Sequence, residues 1–277
     1  TMTILNVETR HAIHPDHAKG MDTQGLRDNF LCEGMFKDGE INLVYTHYDR
    51  FTVGGAVPAG GSLTLDKVEE TRTATFLERR EMGIVNIGGA GTVEAGGESF
   101  ALNEGDVLYI GMGSGAVTFT GQGRFYITSC PAHHAYPSRL VTVADAAKME
   151  LGDAATSNKR TINQFIHPLV MQSCQLVLGY TALDEGSVWN TMPAHVHDRR
   201  MEAYLYWGMD EASRVLHLMG EPQETRHMFV ANEEAIVSPT WSIHSGAGIG
   251  KYTFIWAMAG DNVDYTDMDF VQPSELR

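Results

Sequence analysis

Short apolar runs bounded by Gly, Asn or Asp recur along most of the chain. That pattern predicts an all-β sandwich or barrel built from short strands joined by tight turns. One series of predicted strands covers 41–48, 83–87, 91–94, 107–110, 116–120 and 124–128. A second covers 174–181, 203–207, 214–219, 227–230, 235–238 and 251–257. Gly88-Gly89-Ala90-Gly91 and Ala95-Gly96-Gly97 read as turns between strands. A phosphate-cradling loop is the rival reading of these glycines, but the helix with a Lys-Ser/Thr start that it needs does not follow.

The two series are separated by 142–163, which reads as a connection, with weak helical character over 143–150 and the polar stretch Thr156-Ser157-Asn158-Lys159-Arg160. The halves echo each other. Leu102-Asn103-Glu104-Gly105-Asp106-Val107-Leu108 resembles Val230-Ala231-Asn232-Glu233-Glu234-Ala235-Ile236-Val237, and Arg79-Arg80-Glu81-Met82 faintly matches Arg199-Arg200-Met201-Glu202. The expectation is a duplicated β-barrel, with an N-terminal domain over 1–140 and a C-terminal domain over 141–277.

Candidate chemistry concentrates in His195-Val196-His197-Asp198-Arg199-Arg200-Met201-Glu202 and in a distant His244. Side chains alternate along a strand, so His195 and His197 share a face and reach one ion. Glu202 has the opposite parity. It joins them only if the chain turns over 198–201 and re-enters as the strand Ala203-Tyr204-Leu205-Tyr206-Trp207. With His244 the set becomes three imidazoles and one carboxylate, which suits a divalent first-row metal. The alternative is a group of surface histidines beside a charged turn. The first half has no counterpart of His195, His197 or His244, so its barrel is expected to hold no metal. His11, His14, His17, His47, His133, His134, His167 and His227 read as surface or structural.

Composition narrows the function. The hydrophobic content of 43% supports a packed core rather than disorder. The net charge of −15 argues against a nucleic-acid partner, which needs a basic stripe. No apolar run approaches the roughly 18 residues of a membrane span. Cys32, Cys130 and Cys174 form no CxxC pair and read as reduced thiols, and no secretory signal is visible; both fit a cytoplasmic protein.

HxHx(4)E followed by Pro239-Thr240-Trp241-Ser242-Ile243-His244 resembles the two metal motifs of the cupin superfamily, with Trp241 where a glycine is common. Longer strings are similar to the 5-keto-4-deoxyuronate isomerase family: Phe76-Leu77-Glu78-Arg79-Arg80-Glu81, Asn86-Ile87-Gly88-Gly89-Ala90-Gly91, Thr156-Ser157-Asn158-Lys159-Arg160-Thr161-Ile162-Asn163, Trp189-Asn190-Thr191-Met192-Pro193, Pro222-Gln223-Glu224-Thr225-Arg226-His227 and Trp241-Ser242-Ile243-His244-Ser245-Gly246. The resemblance implies an all-β bicupin of two double-stranded β-helix (jelly-roll) barrels. It implies one Zn2+ per subunit on His195, His197, Glu202 and His244, with Mn or Fe as other divalent choices. It also implies a homo-oligomer, expected to be a hexamer, acting on a small anionic sugar in the cytoplasm during pectin breakdown. The implied reaction converts 5-dehydro-4-deoxy-D-glucuronate to 3-deoxy-D-glycero-2,5-hexodiulosonate.

That chemistry needs a proton carrier and a cation for the substrate carboxylate. Glu202, His217 and Tyr204 are the candidate carriers. Arg160, Arg199, Arg200 and Arg226 are the candidate carboxylate forks. The competing functions are an iron dioxygenase on the same cupin site and a non-catalytic sugar-binding cupin.

Overall fold

The computed structural model describes residues 2–261 and 266–277, and strands dominate it. No helix among them is long and apolar enough to cross a membrane. The chain forms two compact units. One holds the residues up to His11, Gly34–Ala147 and Phe165–Leu178; the other holds Ala12–Glu33, Lys148–Gln164 and the chain from Gly179 onward. The units interleave along the chain instead of meeting at one boundary such as 140/141.

In the first unit a seven-stranded sheet has the order Ile4–Arg10, Glu40–Thr46, Thr52–Ala56, Phe125–Pro131, Arg80–Asn86, Val107–Ile110, Arg139–Val141. A four-stranded sheet has the order Ser62–Leu65, Val117–Gly121, Gly91–Ala95, Glu98–Leu102. Ser62–Leu65 and Gly91–Ala95 alternate buried and more exposed positions, as strands with one wet face do. Arg80–Asn86 is buried on both faces. Met82, Ile84 and Ile127 from the larger sheet meet Leu65, Val93 and Phe119 from the smaller one in a single apolar core.

The second seven-stranded sheet has the order Ala147–Leu151, Arg160–Ile166, Val177–Leu183, Thr253–Gly260, Arg200–Trp207, Ala235–Ser238, Leu31–Cys32. Its smaller companion has the order Trp189–Asn190, Ser245–Gly248, Val215–Glu221, Glu224–Val230. The two halves correspond strand for strand, which makes the chain an all-β bicupin. The match extends to register. Glu202 lies opposite Ser238 and Met258, and Met82 lies opposite Ile110 and Ser129 in the same way. The faint sequence echo is therefore a true correspondence, with Met82 in the place of Glu202.

Three local expectations change. The segment 142–163 is not a bare connection, and 143–150 carries no helix: Ala147–Leu151 and Arg160–Ile166 are strands of the second large sheet. Sheet pairing overrides the helix-forming Ala, Lys, Met, Glu and Leu of 147–151. The strand expected over 174–181 begins at Val177. The backbone N–H groups of Cys174, Gln175 and Leu176 instead donate to the buried Glu81 carboxylate at 2.8, 2.8 and 2.7 Å. That carboxylate also accepts from the Tyr109 hydroxyl at 2.6 Å.

The edge strand Leu31–Cys32 pairs with Ala235–Ser238 and draws the helix Thr23–Phe30 into the second unit. Asp22 caps that helix by accepting from the Gly25 N–H at 2.8 Å. Its buried residues are Leu26 and Phe30, and the Phe30 ring meets Trp241 edge-on at 6.1 Å. Trp241 thus occupies its unusual motif position as a packing residue beneath the loop that carries His244.

Candidate metal centre

His195 sits in the short strand Ala194–Val196, opposite Phe270 of Asp269–Val271. His197 follows at its end. The chain turns over Asp198 and Arg199, and the strand Arg200–Trp207 carries Glu202 back beside both histidines. His244 arrives just before Ser245–Gly248. Its loop is held by the Ser242 N–H donating to the Pro239 carbonyl at 3.0 Å and by Ser242 Oγ accepting from the Gly220 N–H at 2.9 Å. One donor atom from each of His195, His197, Glu202 and His244 lies within 4.8 Å of all the others. The four residues that the sequence singles out do converge.

The outer nitrogens show which way the rings are set. His197 Nδ1 lies 2.8 Å from the Arg200 carbonyl oxygen. A carbonyl only accepts, so Nδ1 carries the proton and Nε2 offers its lone pair inward. His244 Nδ1 lies 3.2 Å from Ser238 Oγ, whose own hydroxyl is directed at the Ser242 carbonyl. That again leaves Nε2 inward. His244 Nε2 is 3.0 Å from His195 Nε2 and 3.0 Å from Glu202 Oε2, and His197 Nε2 is 2.8 Å from the same oxygen. Lone pairs facing one another at these distances need a proton or a cation between them.

Electrostatics favours a cation. Burial pushes the His195 imidazole down to about 2, with His244 adding to the effect, and burial lowers His244 as well. Both rings are neutral ligands at neutral pH. Burial opposes ionisation of Glu202, but the His244 and His197 side chains that face it outweigh that cost and hold the carboxyl well below its usual range. Three imidazoles, one carboxylate and the outward-bonded Nδ1 atoms of His197 and His244 fit a divalent first-row ion.

Two members of the cluster, His195 and Glu202, line a cavity of about 370 Å³. Ile162, Phe254, Trp256, Met258, Met149 and Leu151 make its walls largely apolar, and Arg160, Arg200, Thr191 and Tyr204 supply polar groups. Gly179 makes room for the Trp256 ring, because a Cβ there would collide with the ring and with the Asn163 carbonyl.

The remaining sequence candidates separate clearly. Tyr204 lines the cavity, with its hydroxyl 2.9 Å from Thr191 Oγ1. Burial and the nearby Glu202 charge push that phenol well above its usual value, so it holds its proton. His217 is fully buried but is not among the cavity-lining residues; its Nδ1 is 2.7 Å from the Tyr206 hydroxyl, and burial pushes it down to about 3. Arg200 lines the cavity, yet its Nε donates to both oxygens of Asp267 at 3.1 and 3.0 Å. Arg199 lies 3.9 Å from the same carboxylate and is partly exposed. Arg226 pairs with Glu224 at 3.2 Å, away from the cavity lining. Arg160 lines the cavity.

Thr191, Trp256, Met258 and Asp267 were not singled out by the sequence. Trp189-Asn190-Thr191 held a faint signal, as a polar residue close before the HxH pair. The other three are placed only by sheet pairing and by the returning C-terminal segment.

Residues 30–273 match the model of the KduI/IolB family. A curated relative from Agrobacterium fabrum, named 4-deoxy-L-threo-5-hexosulose-uronate ketol-isomerase, is 72% identical, covering 99% of this chain and 100% of the relative. Among solved structures, an IolB-like protein from Salmonella typhimurium superimposes with a TM-score of 0.67 at 16% identity, over 88% of this chain and 97% of that one. An oxalate decarboxylase from Lactobacillus farciminis gives a TM-score of 0.53 at 12% identity, over 80% and 79%. At such identities these two structures speak to the fold alone.

Proposed function

We propose that this chain, which belongs to the KduI/IolB family, is a divalent-metal-dependent ketol-isomerase. It takes 5-dehydro-4-deoxy-D-glucuronate, the 4-deoxy-L-threo-5-hexosulose uronate of its relatives' name, to 3-deoxy-D-glycero-2,5-hexodiulosonate. The supporting observation is the His195–His197–Glu202–His244 cluster, of which His195 and Glu202 line a cavity sized for a small molecule. The same family reading brings zinc as the ion, one per chain, a hexameric homo-oligomer and a cytoplasmic role in pectin breakdown.

The reaction moves a carbonyl from C1 to C2. A proton leaves C2 and one is gained at C1, while the hydroxyl proton passes from O2 to O1, so no oxidant or reductant is consumed. A divalent ion supplies Lewis acidity that stabilises the negative charge building on these two oxygens. His195, His197, Glu202 and His244 would hold it. Tyr204, fixed by Thr191 and protonated, donates a hydrogen bond at the cavity wall and is placed to relay a proton to a substrate oxygen. His217 bonds to the Tyr206 hydroxyl, is not among the cavity-lining residues, and is left out of this relay. The apolar side chains of Phe254, Trp256 and Met258 exclude water around the reacting carbons.

Conversion of the uronate by zinc-loaded protein in deuterated water tests this function. The expected result is product carrying solvent deuterium at C1, with no oxygen consumed. Retention of the substrate hydrogen would replace the proton relay by a hydride shift. Oxygen uptake would favour the iron dioxygenase, and binding without conversion would favour the sugar-binding cupin.

A further inference from the structure

We infer that Arg160 is the residue that binds the carboxylate of the substrate. This assignment rests on the isomerase function proposed above and selects one cation from four.

Of the four candidate arginines, only Arg160 and Arg200 line the cavity that ends at the metal cluster. Arg200 is already neutralised by Asp267, which both of its Nε contacts engage. Arg160 differs. Among the described residues its sole hydrogen-bond partner is the Asn158 carbonyl oxygen, 2.7 Å from Nη1, and no carboxylate lies within ion-pair distance of it. That bond anchors one nitrogen and fixes the plane of the guanidinium. The Nε and Nη2 donors remain for a ligand, and two parallel N–H donors are the geometry that a carboxylate takes in a bidentate pair.

Charge balance points the same way. Arg160 is half-buried in a chain of net charge −15. A guanidinium left without a counter-charge beside Ile162 and Trp256 is poorly solvated, and an anionic ligand relieves that cost. The net negative charge of the protein repels acids at long range, so an acid that enters needs a local cation. Arg160 stands at the start of the strand Arg160–Ile166, whereas the ligands stand on Ala194–Val196, on Arg200–Trp207 and before Ser245–Gly248. In the sheet order Val177–Leu183 and Thr253–Gly260, the latter carrying Phe254, Trp256 and Met258, lie between the strand of Arg160 and the strand of Glu202, which suits an open-chain acid with its carbonyl end at the cluster and its carboxylate at Arg160.

Arg160→Gln and Arg160→Lys, with the parent, test the assignment against two ligands: the uronate and its C6 methyl ester, which has no negative charge. In zinc-loaded protein R160Q should raise KM for the uronate by about 10- to 100-fold with a smaller change in kcat. Its KM for the ester should match that of the parent within about threefold, and R160K should recover part of the loss. Metal content should not change. Calorimetric titration with the uronate supplies a readout independent of turnover, in metal-loaded and metal-free protein alike, and R160Q should weaken binding in both. Equal losses on acid and ester, or an unchanged affinity for the acid, would overturn the role of Arg160. A parent that binds the acid through Arg160 without converting it would remove the isomerase function and leave the carboxylate site standing. A parent that does not bind the acid would remove both.

Discussion

Arg200 is bound to His197 and to Asp267 through different ends: its carbonyl accepts from His197 Nδ1 at 2.8 Å, and its guanidinium is held by the Asp267 carboxylate. The ring of His197, a member of the candidate metal cluster, is thereby oriented by the backbone of a residue whose side chain is tied to the C-terminal segment. Register correspondence puts Arg80 in the same place in the first unit. There the guanidinium is satisfied by the Ser129 hydroxyl and carbonyl and the Arg50 carbonyl, so a buried arginine at this position is a feature of both barrels.

Asp267→Asn is expected to weaken both stability and metal binding. Arg200 is 1% exposed, so loss of its carboxylate should cost about 3 kcal/mol. Disturbing a group that orients a ligand lowers metal affinity by about tenfold or more. Denaturant unfolding and metal titration check the two effects; an unchanged midpoint together with unchanged affinity would show that the pair orients nothing.

Replacing His197 or His244 by Ala should remove most of the bound metal and reduce turnover by on the order of a thousandfold. The far-UV circular dichroism should remain that of the parent, because each side chain lies inside a barrel held by many other contacts. Elemental analysis of the parent should return one ion per chain, since Met82 occupies the register position of Glu202 in the first unit. Two equivalents per chain would contradict this.

Stability of the metal-free protein should fall as pH drops from about 6.5 toward 3. Burial pushes His195 to about 2 and His217 to about 3, so in this window the unfolded chain binds protons that the folded chain does not. Stability therefore rises with pH here, by up to about 1.4 kcal/mol per pH unit for each group. His217→Asn removes one of the two and should flatten the slope. Equal slopes for parent and variant in urea unfolding at stepped pH would rule out a neutral, buried His217.

Glu81→Ala should destabilise the protein without acting on chemistry. It strands three backbone N–H groups and the Tyr109 hydroxyl, at a cost of about 3 kcal/mol or more. Turnover per folded molecule at low temperature should stay within about twofold of the parent. A large drop in kcat at unchanged folded fraction would tie Glu81 to the reaction.

The all-β class and the His195–His197–Glu202 part of the cluster were legible in the sequence because each rests on short-range order, whereas the duplication and His244 were read from motif resemblance. Strand periodicity is local, and the parity of His195 and His197 follows from two adjacent bonds along one strand. Even the inference that Glu202 returns after a turn needs only the eight residues from His195 to Glu202. Tertiary structure alone decided which polar groups face the cavity. Arg160 and Arg200 are alike in sequence, but only Arg200 meets Asp267, a residue 67 positions away. His217 and Tyr204 are equal candidates in sequence, and only the structure shows that Tyr204 lines the cavity beside Thr191 while His217 pairs with the Tyr206 hydroxyl and is not among the lining residues. Pairing also reversed local propensity at Ala147–Leu151, and the Glu81 carboxylate delayed the strand that begins at Val177. Each of these outcomes depends on a partner brought from far along the chain, and the closing of such long loops leaves no trace in a local window of residues.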